Sequence, residues 1–80
     1  EEFLLLLPGL SSTAAVAVAE RLRKAVARER IEPAGHVTVS AGVAVLPEDA
    51  TDIGTALRLA DEMLYEAKRA GRNRVVAAGA

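Results

Sequence analysis

The sequence predicts an α/β (α+β) layer in which helices pack on a sheet, with elements in the order β-α-β-α-β. Three observations predict it. Two stretches repeat apolar residues at helical spacing, a stretch between them alternates at period two, and Pro or Gly marks every junction. No internal repeat, linker or low-complexity tract interrupts that order.

The first element is a strand over about 2–7. Phe3-Leu4-Leu5-Leu6-Leu7 is a short apolar run closed by Pro8-Gly9, which fits a strand buried on both faces. The first residues of a domain are normally exposed, so a core strand directly behind Glu1 is expected of a segment cut from within a larger domain. A helix over about 12–30 follows. Ser11 or Ser12 offers an N-cap oxygen, and Ala15, Val18, Leu22 and Ala25 form an apolar stripe widened by Val26. Glu20, Arg21, Arg23, Lys24 and Arg28 occupy its other faces, and Pro33 and Gly35 end it.

A strand over about 36–46 comes next. Val37, Val39, Ala41, Val43 and Val45 share one face, and His36, Thr38, Ser40, Gly42 and Ala44 share the other. The second face is small, and a glycine inside a strand marks close backbone approach or a bulge. Pro47-Glu48-Asp49-Ala50 is a loop. Thr51 or Asp52 caps a helix over about 52–70, whose stripe is Ile53, Leu57, Ala60, Leu64 and Ala67, with Ala56 and Met63 alongside. Gly71 suits the left-handed residue that closes a helix. Arg74–Ala78 predicts a last strand over about 74–78.

Composition excludes several function classes. The chain has 80 residues, 51% of them apolar, and a net charge of −1, which excludes a disordered polyelectrolyte. Ten basic residues balance eleven acidic ones, and Phe3 and Tyr65 are the only aromatics. Neither strong attraction to nucleic acid nor a base-stacking platform is expected from that. Absence of cysteine rules out disulfides, and with one histidine it rules out a zinc knuckle. The longest strongly apolar run, Phe3–Leu7, is far short of the ~20 residues that span a bilayer, so no membrane contact by this segment is expected.

Two distant segments carry a specific pattern. Glu1-Glu2-Phe3 opens the chain, and Ala60-Asp-Glu-Met-Leu-Tyr-Glu-Ala-Lys-Arg-Ala-Gly-Arg-Asn73 runs through the second helix, with Val37-Thr-Val-Ser-Ala-Gly-Val43 between them. In this order and spacing they resemble the GGDEF domain of diguanylate cyclases. Glu1, Glu2 and Phe3 match the last three positions of the Gly-Gly-(Asp/Glu)-Glu-Phe signature. The resemblance covers essentially all 80 residues, read as the C-terminal portion of one such domain (1–80). It implies a palm-like sheet, related to nucleotide cyclases and flanked by helices, whose first strand is not in this chain. That strand would lie between the strands at 2–7 and 36–46. The two glycines, a metal-binding aspartate and an Arg-x-x-Asp inhibitory motif would precede residue 1.

The implied reaction joins two GTP into cyclic di-GMP with release of pyrophosphate, across a homodimer of such domains in the cytoplasm. Glu1 takes the metal-binding and catalytic role by resemblance, with Glu2 supporting it. Mg²⁺ or Mn²⁺ is the implied cofactor, and hard cations take carboxylate oxygens. Lys68 and Arg72 match the family's phosphate-contacting pair. Read without the resemblance, cations at a helix C-terminus complement the macrodipole, worth ~0.3–1 kcal/mol, and Arg69 and Arg74 do only that or nothing. Ala19-Glu20-Arg21 matches a pattern that helps bind product at an inhibitory site; otherwise Arg21 is a solvated face residue. Asp61 and Tyr65 read as structural, Tyr65 as a packed ring, and Asn73 as a brace for the turn after Gly71. His36 lacks partner ligands and reads as an exposed or satisfied histidine. The 80 residues alone are expected neither to fold stably as a monomer nor to turn over GTP. The alternatives are an inactive relative that binds GTP or cyclic di-GMP as a sensor, and a plain ferredoxin-like interaction module.

Overall fold

The computed structural model describes residues 11–33 and 35–79. The strand expected over 2–7, and Glu1, Glu2 and Phe3 with it, lie outside the described residues. Within them the order is α1 (Ser12–Arg28), β1 (Arg30–Ile31), β2 (Gly35–His36), β3 (Ala41–Val43), α2 (Ile53–Arg69) and β4 (Val75–Ala77). The chain is therefore mixed helix and strand, with two helices on a small parallel sheet.

Local chemistry sets where the helices start. Of the two serines, Ser11 caps α1: its Oγ accepts from the Ala14 N–H at 3.2 Å. Asp52 caps α2 more fully. Its Oδ1 accepts from the Thr55 N–H at 2.8 Å, and its Oδ2 from the Thr55 hydroxyl at 2.9 Å. Those two bonds, the backbone one first, hold the Asp52 carboxyl below its ordinary pKa of 3.8.

β3 and β4 pair in parallel, with Ala41, Gly42 and Val43 opposite Val75, Val76 and Ala77. Bonds from the Ala41 N–H to the Arg74 carbonyl (2.9 Å) and from the Ala78 N–H to the Val43 carbonyl (2.7 Å) extend the ladder at both ends. Parallel neighbours need a long crossover, and α2 supplies it. Both helices pack against both strands of this pair. The loop before α2 is tied by Asp49. It accepts from the Val45 N–H at 2.9 Å and donates its own N–H to the Val45 carbonyl at 2.8 Å.

The strand expected over 36–46 is realised as two short pieces. Gly35 and His36 pair antiparallel with Ile31 and Arg30, while only 41–43 joins the parallel pair. Period-two alternation reports which faces the side chains take. It does not supply hydrogen-bonding neighbours, and residues 37–40 lack a ladder partner among the described residues.

Among the described residues the buried ones are small: Ala15, Val45, Ala50, Ala56, Ala67 and Ala78, and Ala67 is wholly enclosed. Close approach of backbone makes such a core possible. A Cβ on Gly42 would fall on the Ala60 carbonyl oxygen and the Leu64 nitrogen of α2, so α2 sits directly on the β3 backbone. The small second face read from the sequence is thus the seat of α2. The apolar stripe of α2 is covered unevenly. Ala56 and Ala67 are buried, whereas Ile53 and Leu57 are exposed (53% and 41%). A 17-residue helix is about 25 Å long and a three-residue strand about 10 Å, so the first turns of α2 overhang the pair.

Face and sequence stripe also differ in α1. Leu22 is 48% exposed and Ala25 is exposed, while Ala19, Arg23 and Ala27 are half-buried beside buried Ala15. Val18 and Val26 of the expected stripe are half-buried as well, so the inward face is shifted from 15/18/22/25 toward 15/19/23/27 without leaving that stripe entirely. Small alanines allow approach there, and Arg23 has a partner to meet.

Two outcomes are expected. Gly42→Ala forces strand and helix apart, and overpacking of this kind costs about 1–3 kcal/mol. Urea unfolding of the intact protein measures it, and an unchanged midpoint would contradict the contact. Because the folded-state pKa of Asp52 is lowered, its contribution to stability is present above 3.8 and is lost as pH falls through the lower folded value. Asp52→Asn keeps the cap but carries no charge. Thermal midpoints taken against pH are expected to fall less steeply in acid for the variant than for the parent.

Candidate functional site

Four cations gather where α2 ends: Lys68, Arg69, Arg72 and Arg74. The turn that carries them is built by Gly71, whose φ is +124°. The Arg72 N–H bonds the Ala67 carbonyl at 2.9 Å and the Gly71 N–H the Lys68 carbonyl at 3.3 Å. This pair of bonds is the Schellman closure, and it satisfies carbonyls the helix leaves open.

The left-handed conformation does not stop at glycine. Arg72 and Asn73 follow with φ of +65° and +51°. Asparagine tolerates that region, but arginine has no local compensation there, and a non-glycine residue so placed costs of order 1–3 kcal/mol. Such a conformation persists only where its surroundings hold it. Here the Asn73 N–H donates to Ser40 Oγ at 3.1 Å. Arg23 of α1 donates from Nη1 to Asn73 Oδ1 at 2.8 Å and reaches the Asn73 carbonyl at 3.5 Å. Arg23 is itself fixed by Glu20, whose Oε1 accepts from its Nε at 2.5 Å.

The cations divide by what engages them. Arg69 pairs with Glu66 at 3.0 Å, one turn back. Arg74 folds over the turn, donating from Nε to the Arg72 carbonyl at 3.2 Å, with its guanidinium against Gly71. That assigns Arg74 a bracing role that composition alone does not reveal. Lys68 is half-buried, and Arg72 is exposed, its guanidinium without a partner among the described residues. The cap places these two on either side of Gly71, at the end of the helix. Guanidinium and ammonium groups there can engage an anion, Arg as a planar fork and Lys as a point charge.

Concavity beside them is slight. Asp61, Leu64, Tyr65 and Lys68 line an open groove of about 190 Å³. Pockets that enclose a small ligand run to ~300–1,000 Å³, so the groove formed by these residues is too small to enclose one. A larger groove along the same helix is lined by Asp61, Glu62, Met63, Tyr65 and Glu66, and its three carboxylates disfavour a phosphate. Tyr65 is 64% exposed, so its ring is a groove wall and not the packed ring expected from the sequence; the helix turns it away from β3.

The other residues singled out lie apart from this turn. Arg21 is exposed on α1, two residues before Arg23 and on a different face. His36 is exposed at the end of the β1–β2 hairpin. Glu1 and Glu2 lie outside the described residues. Among the described residues no group of three His, Cys, Asp or Glu side chains is arranged to hold a metal ion, and no helix is long and apolar enough to cross a membrane. Arg23 is the residue the sequence reading missed. Its only local signal was Glu20 three positions before it. Its partner Asn73 lies 50 residues away.

Comparison with known proteins adds a second kind of observation. Residues 1–74 match the family model described as diguanylate cyclase, GGDEF domain. Diguanylate cyclase A of Treponema denticola is 44% identical over 78 residues, which is 94% of this chain and 21% of that protein. Diguanylate cyclase DgcM of Escherichia coli K12 is 44% identical over 78 residues, 98% of this chain and 19% of its own length. A diguanylate cyclase of Vibrio cholerae is 37% identical over 75 residues, 92% of this chain and 23% of its own. The chain thus spans about a fifth of the length of the curated relatives it matches.

Proposed function

Since this chain belongs to the GGDEF domain family of diguanylate cyclases, we propose that it supplies the phosphate-binding edge and the metal-binding signature of a domain that condenses two GTP into cyclic di-GMP. The observation that supports this reading is the closure of α2, which sets Lys68 in the last helical turn and Arg72 within the left-handed run that follows.

In the proposed reaction two domains of a homodimer each hold one GTP. The 3′-hydroxyl of one nucleotide attacks the α-phosphorus of the other. The bond from that phosphorus to the β-phosphate oxygen breaks, and pyrophosphate leaves; the step then occurs in the opposite sense. Catalysis of phosphoryl and nucleotidyl transfer is mostly positioning and charge stabilisation. Lys68 and Arg72 hold the phosphates, the guanidinium through two parallel N–H donors. Glu1 would hold Mg²⁺ or Mn²⁺, with Glu2 beside it, since carboxylate oxygens are the donors a hard cation takes. When bound, the metal supplies charge neutralisation at the phosphates and a lower pKa at the attacking hydroxyl. Arg21, exposed on α1, contributes to a site for the product. A domain that consumes GTP in this way works in the cytoplasm.

The test uses the intact protein that carries this segment, with GTP and Mg²⁺ and cyclic di-GMP measured directly. Glu1→Ala is expected to abolish product formation. Lys68→Ala is expected to raise KM for GTP roughly tenfold or more, the scale of a lost hydrogen bond to a charged group. Product at the parent rate from the Glu1 variant would remove the metal assignment. Binding of GTP without product by the parent protein would convert the reading to that of a sensor.

A further inference from the structure

The Arg23 side chain is the one link that α1 makes to the turn carrying Arg72 for which the described residues give hydrogen bonds. It leaves the inward face of α1, between half-buried Ala19 and Ala27, and its side chain is 18% exposed. Glu20 orients it from the preceding turn, and both of its remaining contacts go to Asn73. Asn73 is the last of three consecutive residues with positive φ, and Arg72 is the middle one. Ser40 takes the Asn73 N–H from the strand side, and the Ala67 carbonyl takes the Arg72 N–H from the helix side. The strained segment is therefore held from α2, from the chain entering β3, and from α1, and Arg74 braces it from its own end by donating to the Arg72 carbonyl. Among the described residues Arg23 is the one ionised side chain that reaches the segment from a distant element.

We propose that Arg23 is a positioning residue for the anion site: by clamping Asn73 it fixes the left-handed run that presents Arg72. The inference rests on the reading of Arg72 as a phosphate contact. A residue with φ of +65° that is not glycine returns readily to the ordinary helical or extended region once its neighbours release it. Without the clamp, the Arg72 guanidinium samples positions away from the phosphate, and part of the binding energy goes into reordering it. Glu20 belongs to the same device, since it fixes which way the Arg23 fork opens.

The measurement is equilibrium binding of 3′-deoxy-GTP with Mg²⁺ to the intact protein, which reads the phosphate site without turnover. Arg23→Ala is expected to weaken binding roughly three- to tenfold, within the range of coupling between neighbouring groups. Asn73→Gly deletes the acceptor and keeps the tolerance for positive φ, and it is expected to weaken binding similarly. Arg23→Lys, which restores one donor, lies between Arg23→Ala and the parent. In an Arg72→Ala background none of these changes weakens binding further, because the clamp then has nothing to present. A merely structural arginine would add its loss in both backgrounds, and that result overturns the proposal. So does parent-like binding by Arg23→Ala or Asn73→Gly while Arg72→Ala binds weakly. If Arg72→Ala itself binds like the parent, the phosphate reading fails and the clamp falls with it. Should Arg23→Ala not fold, Asn73→Gly and Arg23→Lys complete the same comparison.

Discussion

A missing side chain governs this structure. Gly42 lets the backbone of β3 lie against the backbone of α2 at Ala60 and Leu64, closer than any other residue would permit. With the helix seated there, its N-terminal turns overhang the strands and its last turn arrives beside the chain that enters β3. The parallel partner β4 must then begin immediately after the helix closes. Five residues, 70–74, separate Arg69 from Val75, and they have to reverse the chain within that distance. The left-handed run at Gly71, Arg72 and Asn73 is the solution, and the cations of that segment are exposed or braced as a consequence.

The same constraint explains why the buried residues among those described are alanine and valine. Larger side chains between α2 and β3 would lift the helix off the strand, so shape is met with small residues and backbone proximity. Each buried alanine removes little apolar surface from water, at ~0.8 kcal/mol per methylene-sized group. Order at the helix ends depends correspondingly more on specific hydrogen bonds: Ser11 and Asp52 at the starts, the Gly71 closure at the end of α2. The last of these carries Lys68 and Arg72, the cations proposed to hold phosphate, so stability and the proposed binding depend on one turn. Arg69 and Arg74 spend their charge within it, against Glu66 and the Arg72 carbonyl, while the Arg72 guanidinium stays available to an external anion.

Much of the candidate site was legible residue by residue. The motif from Ala60 to Asn73 named Lys68 and Arg72, and Gly71 between them announced the left-handed cap. The expectation that Asn73 braces the turn pointed to the right residue, although the brace works by receiving Arg23 and by donating to Ser40. What stayed hidden was Arg23, counted with the solvated face of α1 because charge usually marks solvent. Tyr65 was hidden in the opposite sense, an aromatic counted as packed that stands in water at a groove edge. The unbroken strand over 36–46 failed for a related reason, since alternation specifies faces and leaves pairing partners open.

By itself the sequence determined what depends on contacts within a few residues. Helix type, a cap within Ser11–Ser12 and within Thr51–Asp52, the closure at Gly71 and the glycine in β3 all follow from side-chain chemistry acting over three or four positions. The tertiary structure alone decided which face of α1 turns inward, that Arg23 meets Asn73 across 50 residues, and that Ser40 meets Asn73 across 33. Those contacts have no local signature. They exist because α2, pressed onto Gly42, delivers its closing turn to a place that two distant side chains can reach.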